Sequence, residues 1–447
     1  MSDATADDPA IVDAEPTKEF FVSMLVRDIE LIPALVDLVD NSVDGARRLR
    51  GSGRFDGLFV QIDATAEMFR IEDNCGGIPI NVARHYAFRF GRTGQTPQLP
   101  RSVGQFGVGM KRALFKLGSA FEIRSVEATS DFVLKVDVPD WTNQVSWDFT
   151  FAEHHEGVQH DPGETGTTIT VQPLHQEVSI DLALESFLPR LREELRLKHR
   201  ESLSRGLRMS LGTHSIAAEP FTLLQSDRIH PASRTLTFNG SGSAPVQVNM
   251  YAGVSESAPQ EAGWYVFCNG RLVLGPDRTN TTVWGEGGGR RVPSWHTQFS
   301  RFRGFTFFES EDASRLPWTT TKVGVDGNSP IWRAVRRELV VITRPVIDFL
   351  NAIDWERPVL EGEENIERLE EMVETAQPVV LEEIMPSAGF TAPERTKLEA
   401  PPATSSIQYR RLISEIEAVK NLLHVTTNRE VGEQTFQYFL DAENEAE

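Results

Sequence analysis

Between residues 31 and 49 the apolar positions recur with a helical period. Leu31, Ile32, Leu35, Val36, Leu38, Val39, Val43 and Ala46 fall within one broad arc at about 100° per residue. Asp37, Asn41 and Asp44, spaced i, i+4 and i+7, line up on the opposite side, with Asp40 at the edge of the apolar arc. Pro33 suits the first turn of such a helix. On its own this is an amphipathic helix with a solvated polar face. The runs "GLFVQIDA" and "MFRIEDN" predict a hairpin, a Gly-rich stretch at 91–109 leads into a helix near 109–117, and "AFEIRSVEA", "DFVLKVDV" and "TTITVQPL" predict further strands. "EFFVSMLV" (19–26) is bulky and apolar and reads as a strand or arm. The pattern predicts a first domain over 17–175 that mixes helices with a mainly antiparallel sheet.

A helix over 180–203 opens a second α/β domain, expected over 176–353, with strands at "RTLTFNG", "VQVNMYAG", "GWYVFCNGRLVL" and "RGFTFFES" and a long helix near 330–352. Residues 354–405 are acidic and punctuated by Pro and Ala, and read as a linker with one short helix. The segment 406–447 predicts two short helices able to bind a partner or self-associate, and residues 1–16 a disordered acidic leader.

Charge changes this picture once it is located. Of the net −20, residues 1–16, 354–399 and 441–447 carry −5, −9 and −4, so the rest of the chain is close to neutral. The acidity belongs to the ends and the expected linker, and does not exclude a nucleic-acid surface on the body. The stretch 189–208 in fact holds seven bases against three acids, and Arg290, Arg291, Arg301 and Arg303 add to it. No apolar run approaches the roughly 18 residues of a membrane span, so no membrane partner is expected. Two distant cysteines, Cys75 and Cys268, give neither a zinc spacing nor a disulfide framework and suit a reducing cytoplasm. His154, His155 and His160 read as solvated loop residues.

Three blocks carry candidate chemistry. The first is the Asp37–Asp44 stripe. The second is "RIEDNCGGIPI" (70–80), an acid and two glycines directly after a strand. The third is "SVGQFGVGMKRA" (102–113), where Gly104, Gly107 and Gly109 precede Lys111 at a helix entrance. Glycines there permit close approach of phosphate to backbone amides and the helix N-terminus. The order is not that of a P-loop, since no Gly-Lys-Ser/Thr follows, and no βαβ rhythm supports a dinucleotide fingerprint.

In series, acid-x-x-x-Asn on a helix, Asp-x-Gly-x-Gly after a strand, Gly-x-x-Gly-x-Gly-x-Lys, and the strand entrance "ETGTTITV" (164–171) resemble the GHKL ATPase superfamily of gyrase B, the heat-shock chaperones, sensor kinases, MutL and MORC proteins. The resemblance covers roughly residues 20–350 and looks closest to MORC-like and MutL-like stand-alone bacterial ATPases. It implies an α+β chain: a Bergerat-type α/β sandwich, a smaller α/β transducer domain and a helical tail. It further implies that Asn41 coordinates Mg²⁺ on the ATP phosphates, Asp73 accepts the adenine amino group, Gly77 lies beside the purine, and Thr167 supports adenine recognition. Gly104, Gly107 and Gly109 fit the phosphate-lid hinge, "GRTGQ" (91–95) the start of the lid, and Lys111 a phosphate contact. "WYVFCNGRLVL" (264–274) and "RLPWTTTKVGVD" (315–326) resemble transducer elements, making Lys322 the expected contact to the terminal phosphate.

Two positions depart from the family pattern. Asp37 stands where a glutamate usually serves as general base. The shorter carboxylate implies slow hydrolysis, with Asp40 as the competing base. Cys75 replaces the middle glycine of the adenine box. Only about 30 residues precede the Asn41 helix and none is histidine, which argues against a sensor kinase. The implied activity is Mg-dependent ATP hydrolysis driving closure of a homodimer, as a clamp or switch with a DNA or protein partner. The alternatives are a chaperone-like ATPase remodelling proteins, and a nearly inactive nucleotide sensor in bacterial defence or signalling.

Overall fold

The computed structural model describes residues 16–27, 29–51, 53–90, 109–240, 243–285, 292–319, 321–359, 367–394, 407–408 and 410–444. The chain divides into two compact units, residues 1–393 and 394–447. The architecture is α+β.

Among the described residues the larger unit holds an eight-stranded sheet, a five-stranded sheet and a two-stranded one. The first contains β1 (Phe59–Ala64), β2 (Phe69–Asp73), β3 (Ala120–Glu127), β4 (Ser130–Asp137), β5 (Phe151–Glu156), β6 (Gly166–Val171), β7 (Arg208–Leu211) and β8 (His214–Ile216), in the order β5-β4-β3-β6-β2-β1-β7-β8. All its pairings are antiparallel except β1 with β7. Alternation along β1 buries Val60, Ile62 and Ala64, which join Leu35, Val39, Val43 and Ala46 of helix Leu31–Arg50 in one core. Helix Gly109–Leu117 contributes Ala113, Leu114 and Leu117 to the same core. The β2–β6 register sets Asp73 opposite Thr167, and the β3–β6 register sets Thr167 opposite Ser125. Strand pairing therefore gathers three polar residues at one end of the sheet.

The second sheet follows β9 (Thr222–Gln225) and contains β10 (Ala232–Gly240), β11 (Ser243–Val254), β12 (Gly263–Cys268), β13 (Arg271–Asp277) and β14 (Phe302–Glu309), ordered β10-β11-β14-β12-β13. Helix Pro330–Val359 supplies Trp332, Val335, Leu339, Val346 and Leu350 to the core it shares with Trp264, Trp284 and Phe308. Trp264 Nε1 donates to Thr343 Oγ1 at 3.2 Å, tying sheet to helix. Gly304 makes room for the Trp264 ring, which a Cβ there would meet at 2.5 Å.

Several boundaries differ from the sequence pattern. Residues 18–27 form a helix instead of a strand or arm. The Lys18 ammonium holds it in place by donating to the Trp141, Gln144 and Ser146 carbonyls at 2.8, 2.7 and 2.6 Å. The single helix expected over 180–203 is three, Gln176–Ala183, Phe187–Lys198 and Arg200–Ser204. Leu184 turns extended, and Pro189, which an uninterrupted helix would not accept, falls in the first turn of the next segment. The first sheet does not end near 175, because β7 and β8 lie beyond the three helices and close its β1 edge.

The long helix runs to Val359, and the expected linker is partly packed. Leu369 and Val373 of helix Leu369–Thr375 are fully buried in the second core, and β15 (Gln377–Val380) pairs antiparallel with β9. The smaller unit contains helices Ile413–Leu423 and Asn428–Asn444, with Leu422, Phe436, Tyr438 and Phe439 exposed.

Lys18→Met should lower unfolding free energy by about 2–3 kcal/mol, because three carbonyls lose a charged donor. Urea denaturation of the full chain reads this directly, and an unchanged midpoint would show that the helix is held by its apolar face alone.

Candidate active site

A cavity of about 1010 Å³ opens between helix Leu31–Arg50, the loop after β2, helix Gly109–Leu117, helix Phe187–Lys198 and the loop bearing Lys322. At one end stands Asp73. Ser42 Oγ donates to its Oδ2 at 2.7 Å, while the backbone amides of Cys75 and Thr167 donate to Oδ1 at 2.8 and 3.3 Å. Burial raises the Asp73 pKa against the pull of these donors and of Arg48. Ile71, Ile78, Val82 and Ile169 supply apolar wall around it. A polar acceptor within an apolar slot is the usual construction for holding a flat heterocycle by one edge.

Backbone contact explains the glycines here. Gly77 has φ +64°, and a Cβ on it would meet Val126 O at 2.1 Å. Its carbonyl accepts from Arg48 Nη2. A Cβ on Gly166 would fall 1.9 Å from Asp73 O, so the strand entrance before Thr167 can approach the Asp73 loop only as glycine. Cys75 is buried beside Gly45, where a Cβ would meet Cys75 O at 2.7 Å. Burial, with the Asp73 carboxylate beside it, pushes the Cys75 thiol well up, so it packs and does not react.

At the other end lie the acids of the helical stripe. Asn41 Nδ2 donates to the Asp37 carbonyl at 3.0 Å, which fixes the side chain and leaves its carboxamide oxygen to a ligand. Asp37 faces the cavity and Asp40 does not, being 1% exposed. Lys322 Nζ donates to Asp40 Oδ2 at 2.7 Å and to Asp37 Oδ1 at 3.3 Å. Arg271 Nε is 3.3 Å from Asp40 Oδ1, and His199 Nε2 is 3.7 Å from the same oxygen.

The two carboxylates differ electrostatically. Burial raises the Asp37 pKa, and Asp40 beside it adds to the rise, against the pull of Lys322 and Arg271. Burial also works upward on Asp40, but Arg271, Lys322 and His199 together outweigh it and hold that carboxyl well below the usual range. Lys322 is raised: burial disfavours its charge, and Asp40 and Asp37 more than restore it. Burial, with Arg271 adjacent, pushes His199 down to about 3, so its imidazole is neutral at pH 7. The acid with the higher proton affinity is the one open to the cavity.

Gly109 begins its helix beside Asp37, with a Cβ placed 3.2 Å from Asp37 Oδ2. Gly104, Gly107 and "GRTGQ" lie outside the described residues. Lys111 lines the cavity, yet its ammonium donates to the Ala87 and Arg89 carbonyls at 2.8 and 2.7 Å. The expected phosphate contact is therefore committed to backbone in this structure, where it ties the segment 87–89 to helix Gly109–Leu117.

Among the cavity residues that the sequence pattern does not single out are Ser42, Arg48 and Arg271. Only Arg271 had a signal, the "NGR" turn. Asn269 and Gly270 take φ +44° and +70°, a two-residue hairpin turn that sets Arg271 at the start of β13. Among the described residues no group of three or more His, Cys, Asp or Glu could hold a metal. A hard cation at Asn41 would thus take its other ligands from phosphate oxygens and water, as Mg²⁺ commonly does. The single carboxamide ligand fits that mode.

Residues 29–166 match the family of histidine kinase-, DNA gyrase B-, and HSP90-like ATPases. The match supports the GHKL superfamily, whose α/β sandwich agrees with the first sheet and its helices, and it suggests ATP binding and hydrolysis. No curated protein matches the chain. Among the described residues no helix is long and apolar enough to cross a membrane.

His199 gives the site a pH signature. Its folded pKa is below its unfolded value of about 6.5, so the unfolded chain binds more protons and stability falls as pH drops from about 7 toward 3. Between pH 7.5 and 5 this group should remove about 2 kcal/mol. Urea titrations at both pH values should show His199→Gln losing less stability than the parent over that interval. Equal losses would mean that His199 is protonated in the folded state.

Proposed function

We propose that this chain binds ATP with Mg²⁺ and hydrolyses it slowly, using the binding event as a conformational switch. The observation that carries the reading is the pairing, in one cavity, of a hydrogen-bonded carboxylate at the apolar end with an acid–amide–lysine group at the other. Asp73 would accept from the adenine amino group through the remaining lone pair of Oδ2. Gly77 gives the ring room to lie against backbone, and Thr167 fixes Asp73 through its amide. Asn41 would hold Mg²⁺, which when bound screens the phosphate charges.

Asp37 is the proposed general base. Its pKa is raised, it opens on the cavity, and it would take a proton from a water aligned with the terminal phosphate. Asp40 suits that role less well, because it is buried and its proton affinity is held low by two cations. Lys322 is the proposed contact to the terminal phosphate. As it stands, Lys322 also neutralises Asp37, so transfer of the ammonium from carboxylate to phosphate would free the base when triphosphate arrives. Hydrolysis would then be coupled to the position of the Lys322 loop, as a switch requires.

Nucleotide-gated homodimerisation of a MORC-like or MutL-like kind follows from this reading. A DNA-tracking role has less support from the basic residues. Arg196 pairs with Glu193 and Glu219, Arg200 donates to the Glu219 and Pro220 carbonyls, and Arg303 is buried against Glu261. Arg301 lies within 4 Å of Glu370 and Glu374. Arg290 and Arg291 lie outside the described residues. The expected domains follow the same reading with their boundaries moved: the first sheet through β8 with its helices as nucleotide-binding core, the second sheet with helix Pro330–Val359 as transducer and residues 406–447 as a helical docking tail.

Asp73→Asn should abolish ATP binding in calorimetry, because the amide presents a donor to the adenine amino group; unchanged affinity would remove Asp73 from the site. Asp37→Ala should keep binding and lower turnover at least 100-fold, the scale of a lost general base. If Asp40→Ala stops turnover and Asp37→Ala does not, the base assignment is reversed. Light scattering with ATP, ADP and a non-hydrolysable analogue should show a dimer only with the triphosphates, and one mass in all three would eliminate gated dimerisation.

A further inference from the structure

Lys198 ends the helix Phe187–Lys198 and lines the same cavity as Asp37, Asn41, Arg271 and Lys322. That helix packs against both the Asn41 helix and β13, the strand that begins with Arg271. Lys198 is therefore on the side of the cavity where the acids and Lys322 meet. Among the described residues its ammonium has neither a hydrogen-bond acceptor nor an ion-pair partner, and although the side chain is half-buried the nitrogen stays open to the cavity. Burial and the neighbouring Arg271 lower its pKa, while Glu194 and Asp40 draw it back only in part.

The charges around it explain why this matters. Asp37 and Asp40 face Lys322 and Arg271, two negative charges against two positive, with His199 neutral between them. That cluster is balanced before any ligand arrives. Arg271 Nη1 is nevertheless buried without an acceptor. An unsatisfied buried guanidinium nitrogen is costly to keep in the empty protein, and the unpaired ammonium on the same cavity wall adds positive charge that no side chain offsets. An anion entering there would meet both cations and lower that cost. The acids on the same wall do not supply it: Glu193 is held by Arg196, and Glu194 lies beyond ion-pair distance of Lys198.

We infer that Lys198, with Arg271 behind it, is a second cationic contact for the terminal phosphate, and that it makes the site prefer a nucleoside triphosphate to a diphosphate. The inference rests on the nucleotide reading above. Lys322 can reach phosphate only by leaving Asp37 and Asp40, whereas Lys198 has no bond to break. Lys198 thus attracts the terminal phosphate first, and the charge it brings into the cavity competes with the carboxylates for Lys322.

The test is calorimetry of ATP and ADP, each with Mg²⁺ at fixed ionic strength, on the parent chain, Lys198→Gln and Lys198→Arg. Lys198→Gln should weaken ATP about tenfold and leave ADP within about twofold, the scale of one charge-assisted hydrogen bond. Lys198→Arg should restore ATP to within about threefold of the parent. The melting temperature of Lys198→Gln should be unchanged or higher, since the charge removed is partly desolvated and has no partner to lose. Equal weakening of ATP and ADP would reduce Lys198 to a general contribution to the cavity field, and unchanged ATP affinity would leave it a solvated side chain. A lower melting temperature would reveal a structural partner, and each of these three results overturns the inference. A parent chain that binds neither nucleotide would instead bring down the underlying reading.

Discussion

The buried carboxylate of Asp40 is the interaction on which the rest of the arrangement depends. A lone carboxylate at 1% exposure would carry a desolvation penalty of several kcal/mol. It is tolerated because Lys322 stands at 2.7 Å and Arg271 at 3.3 Å. Those cations come from the second sheet and the loop beyond it, while Asp40 belongs to the helix that floors the cavity. The two cores are therefore joined by a charge cluster at the point where the proposed chemistry would occur. Other contacts reinforce the joint. A Cβ on Gly270 would fall 2.0 Å from Arg47 Nη2, so the hairpin turn sits directly on the Asn41 helix, and Arg47 in turn faces Glu201 at 3.7 Å.

Much of the first sheet was legible because its signals are local. Alternation in "GLFVQIDA" and "MFRIEDN" places a hairpin, and the order of the motif blocks places Asp73 and Thr167 in one region before any register is known. What the pattern could not supply was partnership across long separations. Asp40 looked like an edge residue of an amphipathic helix, because the lysine that buries it lies 282 positions later. Ser42 had no reason to stand out, since its role depends on the β2 loop returning to the helix. The pattern at 18–27 points to a strand because its aromatic and β-branched residues favour strands locally, whereas the carbonyl cage around Lys18 is a tertiary feature.

Composition alone likewise misplaces the acidic segment after the long helix. Its charge suggested a solvated linker, but Leu369, Met372 and Val373 recur on one side of a short helix and are buried, while Glu370 and Glu374 face Arg301. Glu356, 2% exposed, accepts from the Leu369 amide at 2.7 Å and fixes where the segment re-enters the core. Net charge described the outside of this element and missed its inside.

The loop bearing Lys322 is stapled to the second sheet. The Gly324 amide donates to Val273 O at 2.6 Å, and Trp318 bridges Val325. Val273 lies two residues from Arg271 on the same strand. The two cations that grip Asp40 thus sit on backbone segments joined by a direct hydrogen bond. A ligand that pulls on the lysine also pulls on the arginine, and through β13 on every strand hydrogen-bonded beyond it. Movement of the lysine loop would in this way be felt at β13, with the bond from Gly324 to Val273 as the coupling pin.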